Sequence, residues 1–188
     1  MPSDTRDRLI RSTSRLLRRQ GYAATGLNQV VTEADAPKGS MYFHFPGGKE
    51  QLAAAALAQF QERATNRMRR YLAEHGSVRD AVVAMFDAYV VHLERTQYTE
   101  GCPVATVALD AAANHDLLAE ATGRALQEWV DVFATALEAE GREAAEAHGL
   151  ATLVIAAVEG TVVMAKGERS TEPIAAARDV LATVLAPA

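Results

Sequence analysis

Residues Thr25 to Lys49 read TGLNQVVTEADAPKGSMYFHFPGGK, and this stretch decides the fold. Leu27, Val30, Val31 and Ala34 recur at spacings of three and four, the pattern of one apolar face on a short helix. Asp35-Ala36-Pro37 breaks that helix, because Pro37 has no amide proton and pushes the residue before it out of the α region. Proline is accepted at the first position of a helix, so Pro37 also opens the next one. That next segment, Lys38 to Phe45, spans barely two turns before Pro46-Gly47-Gly48 stops it. Two short helices about a tight turn predict a helix-turn-helix, whose second helix enters the major groove of DNA. Lys38, Ser40, Tyr42 and His44 give that second helix polar donors that a merely packed helix has no use for. The stretch points to DNA binding.

The run Ala36-Pro37-Lys38-Gly39-Ser40-Met41-Tyr42-Phe43-His44-Phe45-Pro46-Gly47-Gly48-Lys49-Glu50 resembles the helix-turn-helix signature of the TetR family of bacterial transcriptional regulators. Ala36 to Ser40 and Phe45 to Glu50 most resemble its LmrA/YxaF-like branch, and Glu100-Gly101-Cys102-Pro103-Val104-Ala105 points the same way. The N-terminal match spans residues 5–55. For the remainder, the resemblance implies an all-helical regulatory domain of variable sequence. The family usually has glycine in the turn where this chain has Asp35, so Asp35 is expected to carry a positive φ, which Asp tolerates better than most residues.

Charge supports a chain with one DNA-facing end. Residues 1–75 hold twelve Lys and Arg against seven Asp and Glu, whereas the rest hold seven against seventeen. A basic front and an acidic back suit contact with a polyanion at one end only. At 49% apolar and 23% charged, the 188 residues have ordinary globular composition, which argues against wholesale disorder. The single cysteine, Cys102, excludes an intrachain disulfide framework. Met1-Pro2-Ser3-Asp4 shows no signal-peptide pattern. The apolar run Gly149 to Ala165 is shorter than the roughly 20 residues of a membrane span, and reads as a buried helix. The expectation is a cytoplasmic protein with no membrane association.

Along the chain, apolar stripes and breakers predict an all-α fold of nine helices. The first is capped by Ser3 or Asp4 and stops at Gly21; Thr25 is expected to cap the second. A long fourth helix runs from Lys49 to about His75. A fifth spans Val78 to Arg95, a short one starts at Pro103, and another follows Asn114. An apolar helix covers about residues 143–166, and the last has Pro173 in its first turn. This gives a three-helix head over residues 1–48 and a larger ligand-binding and dimerisation domain over residues 49–188.

Within the head, Lys38 and Ser40 are the candidates for base edges, lysine seeking guanine O6 and N7. Gly39 weakens its helix by ~1 kcal/mol relative to alanine, a cost that is explained either by close approach of the backbone to DNA or by mere local flexibility. Tyr42, His44 and Lys49 resemble the family's phosphate-contacting positions. Lys49 sits unfavourably against its own helix dipole, which a nearby anion relieves. Thr25, at a helix N-terminus, is a further phosphate candidate, and Gln29 a weaker one. An arginine stripe, Arg8, Arg11, Arg15 and Arg18, is either a solvated face or a source of long-range attraction for phosphate.

In the larger domain, the last two helices are more apolar than one partner each requires. The resemblance implies a homodimer through a four-helix bundle of these helices, with Leu153, Ala157, Gly160, Leu181, Val184 and Leu185 as interface candidates. Such a dimer would present two recognition helices to a palindromic operator in double-stranded DNA. Candidate pocket residues are Phe60, Met68, Met85, Phe86, Tyr89, His92, Cys102, Leu109, Trp129, Phe133, Glu159 and Met164, since Met and aromatic side chains make adaptable apolar sites. Stripes of this kind also build ordinary cores. By resemblance, a small apolar effector bound there would release the operator, so the reading is a ligand-responsive regulator acting as a repressor. No cofactor or metal is expected: the histidines lack metal spacing, and the one pairing of cysteine with histidine, Cys102 with His92, matches no catalytic signature. A helical carrier of small molecules without specific DNA binding is the alternative, and it leaves the basic head unexplained.

Overall fold

The computed structural model describes residues 2–186, with side chains from Thr5 onward. The cap expected at Ser3 or Asp4 lies outside the described side chains. Among the described residues the chain is all-α, with nine α-helices, one 3-10 turn and no strand. The helices are α1 (Pro2–Ala24), α2 (Leu27–Glu33), α3 (Ser40–His44), α4 (Gly48–Glu74), α5 (Val78–Arg95), α6 (Pro103–Asp110), α7 (Asp116–Ala139), α8 (Ala144–Glu168) and α9 (Glu172–Val184), with the 3-10 turn at Ala112–Asn114.

The chain forms two compact units, one of residues 1–62 and 102–125, the other of residues 63–101 and 126–188. These are units of packing, and the division of function expected between residues 48 and 49 is a different partition of the chain. In the first unit α6 packs along α1, so α6, the 3-10 turn and the start of α7 join the three head helices. Leu9, Leu16, Leu17, Val30, Met41, Phe45, Leu52 and Leu57 make its core, each almost fully buried. At ~25 cal/mol per Å² of apolar surface, each such side chain contributes about 1.5–3 kcal/mol. In the second unit α5 packs on α9 and α8, and α8 on α9. Met85, Phe86, Leu93, Trp129, Phe133 and Leu137 fill its interior.

Local chemistry sets the breaks. Gly21 takes φ 77° and ψ −177° and kinks α1 where the sequence stops it. Ser77 caps α5 by accepting the Asp80 amide at 3.1 Å. Gly48, at φ 71°, begins α4, where the Gln51 side chain accepts the Gly47 amide at 2.9 Å. Thr25 does not cap α2; Gly26 is the N-cap, without a side-chain hydrogen bond. The Thr25 hydroxyl is buried and donates instead to the Gly21 carbonyl, which binds it to the kink. The last helical turn before α7 runs through Asn114, so α7 begins two residues later, with the His115 carbonyl accepting the Leu118 and Ala119 amides.

At 25 residues α8 exceeds the 17-residue apolar run read from the sequence and is long and apolar enough to cross a membrane. The extra turns at its ends carry Glu146, His148, Lys166 and Glu168, which the apolar run left out. Ala147, Ala151, Val154, Ile155, Val158, Val162 and Ala165 are buried in the second unit.

Candidate nucleic-acid interface

Asp35 holds the turn between α2 and α3 at φ 47°, as its place in the motif requires. The amides of Asp35 and Ala36 donate to Thr32 and Val31 carbonyls at 3.1 Å, closing α2 before Pro37. The recognition helix is shorter than Pro37 to Phe45. Lys38 and Gly39 form a turn, and α3 proper starts at Ser40, whose amide and hydroxyl both donate to the Pro37 carbonyl, at 2.9 and 2.6 Å. Pro37 supplies the first carbonyl of that turn rather than the first helical residue.

Met41 and Phe45, four apart, are each 1% exposed and anchor α3 on the core. With that face fixed, the opposite face is presented outward. Tyr42 is 62% exposed, His44 half-buried, and Lys38 and Gly39 exposed. A methyl group built on Gly39 meets nothing of this chain within 4 Å, so internal packing does not require glycine there. The Ser40 hydroxyl spends its proton on the Pro37 carbonyl, which leaves its oxygen only as an acceptor for any further partner. Phe43 is a residue the sequence reading missed: its ring is 79% exposed, edge-on to His44 at 5.0 Å. Its signal was the lack of an inward role between Met41 and Phe45.

Lys49 stands at the start of α4. Its ammonium lies 4.2 Å above the Tyr22 ring and donates to the Ala23 carbonyl at 3.3 Å. Burial pushes its pKa below the ordinary lysine value, and the Asp110 carboxylate partly opposes the shift. Tyr22 is pushed the other way, first by burial and then by the charges of Glu50 and Asp110. Gln29 is exposed, with its amide oxygen 3.0 Å from the Gln20 side chain. Thr25 is removed from the surface by its bond to Gly21, so the phosphate role expected of its hydroxyl is corrected. In the arginine stripe, Arg8 turns to the Asp35 carbonyl at 2.7 Å, and Arg18 lies 5.8 Å over the Phe60 ring.

The candidates outside the head sort by burial. Met68, Met85, Phe86, Trp129 and Phe133 are buried within the second unit, where Tyr89, His92 and Glu159 are half-buried. In the first unit Cys102 is buried and Phe60 half-buried. Leu109 is 81% exposed and Met164 51% exposed, so neither is enclosed as a pocket lining requires. Each falls on the outer side of a helix whose apolar residues run around more than one face. Two open clefts in the second unit, of about 430 and 550 Å³, are lined by other residues, Glu94, Gln97, Tyr98 and Arg169 in one and Arg69, Leu72, Glu128 and Val132 among those of the other.

Among the interface candidates, Leu153 and Val184 are exposed and Gly160 with them, whereas Ala157 is half-buried. Leu181 and Leu185 are only 3% and 2% exposed, because they close the core of their own unit. The outward positions of the same helices are Ala156, Val163, Met164 and Val180, which the sequence reading did not place at an interface.

Two sequence families match this arrangement. The tetR family of bacterial regulatory proteins matches residues 9–56, and the LmrA/YxaF-like transcriptional regulator C-terminal domain matches residues 78–180. The HTH-type transcriptional regulator LmrA of Bacillus subtilis (strain 168) is 32% identical over 171 residues, covering 91% of each chain. A TetR transcriptional regulator from Chloroflexus aurantiacus superposes with a TM-score of 0.82 at 30% identity, covering 97% of this chain and 94% of that one. The TetR family regulator CifR, solved as a cysteine mutant with 26-bp double-strand operator DNA, superposes at 0.81 with 22% identity and 96% coverage of both chains.

Proposed function

The chain belongs to the tetR family of bacterial transcriptional regulators, in its LmrA/YxaF-like branch, and we propose that it is a repressor that binds a palindromic operator as a homodimer and leaves it when a small apolar effector binds. The observation that carries the DNA reading is the recognition helix itself. Met41 and Phe45 bury one side of α3, and this turns Tyr42 and the preceding Lys38 outward beside the half-buried His44. Lys38 reads base edges from the turn, while Tyr42, His44 and Lys49 hold phosphates and set the register. Residues 1–48 form the DNA-binding domain, and residues 49–188 bind effector and partner. The protein works in the cytoplasm, where the DNA is.

Dimerisation is supported by the outer face of α8 and α9. Leu153, Ala156, Gly160, Val163 and Met164 recur at helical spacing on α8, with Val180 and Val184 on α9, and all are exposed. An apolar patch of this kind marks an interaction surface. Small residues at 156 and 160 allow close approach of a second copy of α8. In a twofold arrangement the same patch meets itself, which brings two heads to successive major grooves ~34–36 Å apart.

The effector site is supported by the Met and aromatic side chains of the second unit, Met85, Phe86, Trp129 and Phe133 with Tyr89 and His92. Release requires only that effector prefer the form unable to bind DNA, with a coupling of ~1–3 kcal/mol. The test selects duplexes from a random-sequence pool with the purified protein, then compares binding of the selected and scrambled duplexes. Selection of a palindrome bound by two protomers supports the reading. Equal, weak binding to both duplexes refutes it in favour of a carrier with a nonspecific basic patch.

A further inference from the structure

Asp110 ends α6, 88 residues after Tyr22, yet its carboxylate grips the kink of α1. Its Oδ2 accepts the Tyr22 amide at 2.8 Å and the Ala23 amide at 3.2 Å. These are charge-assisted bonds from two successive backbone donors to one oxygen. Gly21 completes the cradle: a Cβ there would come within 2.4 Å of the same oxygen, so the carboxylate occupies the space a side chain would take. The other side of this short segment is bonded to Lys49, through the Ala23 carbonyl at 3.3 Å and the Tyr22 ring at 4.2 Å. His115 holds the Tyr22 ring edge-on at 4.9 Å and stands 3.4 Å from Glu50, the residue after Lys49. The segment Gly21–Ala23 is thus clamped between Asp110 and Lys49, within one compact unit.

We propose that Asp110 is a positioning residue for DNA binding, which fixes the Gly21–Ala23 kink and through it the place of the Lys49 ammonium. The inference rests on the reading of Lys49 as a phosphate contact. An ammonium has three donors, and the Ala23 carbonyl takes one, so two remain for a phosphate oxygen. Without the carboxylate, the Tyr22 and Ala23 amides lose their acceptor, the kink gains freedom, and the Ala23 carbonyl no longer holds Lys49 in one place. A long flexible lysine then gains less from the phosphate than it loses in side-chain freedom. The effect appears in phosphate contact rather than in sequence preference.

The experiment titrates the full-length protein with a duplex it has selected from a random pool, across a salt series. Lys49→Ala is expected to flatten the plot of log affinity against log salt by ~0.9 per head, the signature of one lost phosphate contact. Asp110→Ala is expected to flatten it similarly, with unchanged preference for the selected over the scrambled duplex. The double variant is expected to match Lys49→Ala alone. Asp110→Asn, which keeps an acceptor oxygen but not the charge, is expected to lie between Asp110→Ala and the parent. An unaltered slope in Asp110→Ala, or a double variant showing the sum of both losses, overturns the proposal. A parent slope in Lys49→Ala overturns the phosphate reading itself, a separate failure. Should Asp110→Ala not fold, the same cycle with Asp110→Asn decides by the same criteria.

Discussion

The Arg8 guanidinium donates to the backbone carbonyl of Asp35 at 2.7 Å, tying α1 to the turn of the helix-turn-helix across 27 residues. The Asp35 carboxylate stands fully exposed 3.7 Å from the same group, so the carbonyl bond is the stronger of the two contacts. The bond is to the backbone, and it survives any change of side chain at position 35. What such a change alters is the cost of φ 47°. Asp35→Ala is expected to lower stability by about 1 kcal/mol, since a left-handed conformation costs an ordinary L-residue ~1–2 kcal/mol. Asp35→Gly is expected to fall within about 0.5 kcal/mol of the parent, because relief of that cost is offset by the freedom glycine gains when unfolded. Denaturant titration of the three proteins measures both; equal losses in Ala and Gly would show that the Asp side chain, not φ, matters.

Gly21 combines a backbone conformation open essentially to glycine with a filled space beside it. Gly21→Ala is therefore expected to cost at least ~1–3 kcal/mol from the backbone alone, with further loss as Asp110 is displaced. Thermal unfolding measures the loss. If Gly21→Ala melts with the parent, the kink is not rigidly held and the clamp argument fails with it.

Recognition residues should separate by what they lose. Lys38→Ala is expected to weaken the selected duplex by ~1–3 kcal/mol and relax preference at one base pair, as loss of a base contact does. Tyr42→Ala is expected to weaken selected and scrambled duplexes alike. Phe43→Ala probes the exposed ring, which is expected to touch a thymine methyl and so to cost affinity only where thymine is present. Uniform, sequence-independent losses from all three would remove base reading from Lys38.

The dimer face offers a test that spares the fold. Val163 is 55% exposed, so Val163→Glu is expected to change the stability of the subunit by no more than about 0.5 kcal/mol. Two carboxylates brought together across a twofold interface are costly, so the variant should sediment as a folded monomer and bind the palindrome far more weakly than the parent. A Val163→Glu dimer of parental affinity would place the interface elsewhere. Leu181→Asp is no substitute, because Leu181 is buried in its own subunit and the change unfolds the protein.

What the sequence by itself determined about this protein was its local order. Apolar spacing and the punctuation of Gly21 and Pro37 are properties of neighbouring residues, so nine helices and their limits to within a few residues could be read directly. The positive φ at Asp35 was legible only through the resemblance of the turn to the family's motif. Met41 and Phe45 could be read directly too, since their spacing of four leaves so short a helix no other inward face. Tertiary structure alone decided which side of a helix apolar on several faces turns inward. On α8 and α9 it buried Leu181 and Leu185 and exposed Val163, Met164 and Val180, a choice that depends on where partner helices lie. It also decided the fate of polar groups that had two uses. Thr25 bonded to Gly21 rather than capping α2, and Arg8 went to Asp35 rather than outward. The grip of Asp110 on Tyr22 and Ala23 was beyond any local pattern, because a carboxylate shows in sequence its charge but not the amides, 88 and 87 residues away, that folding brings to it.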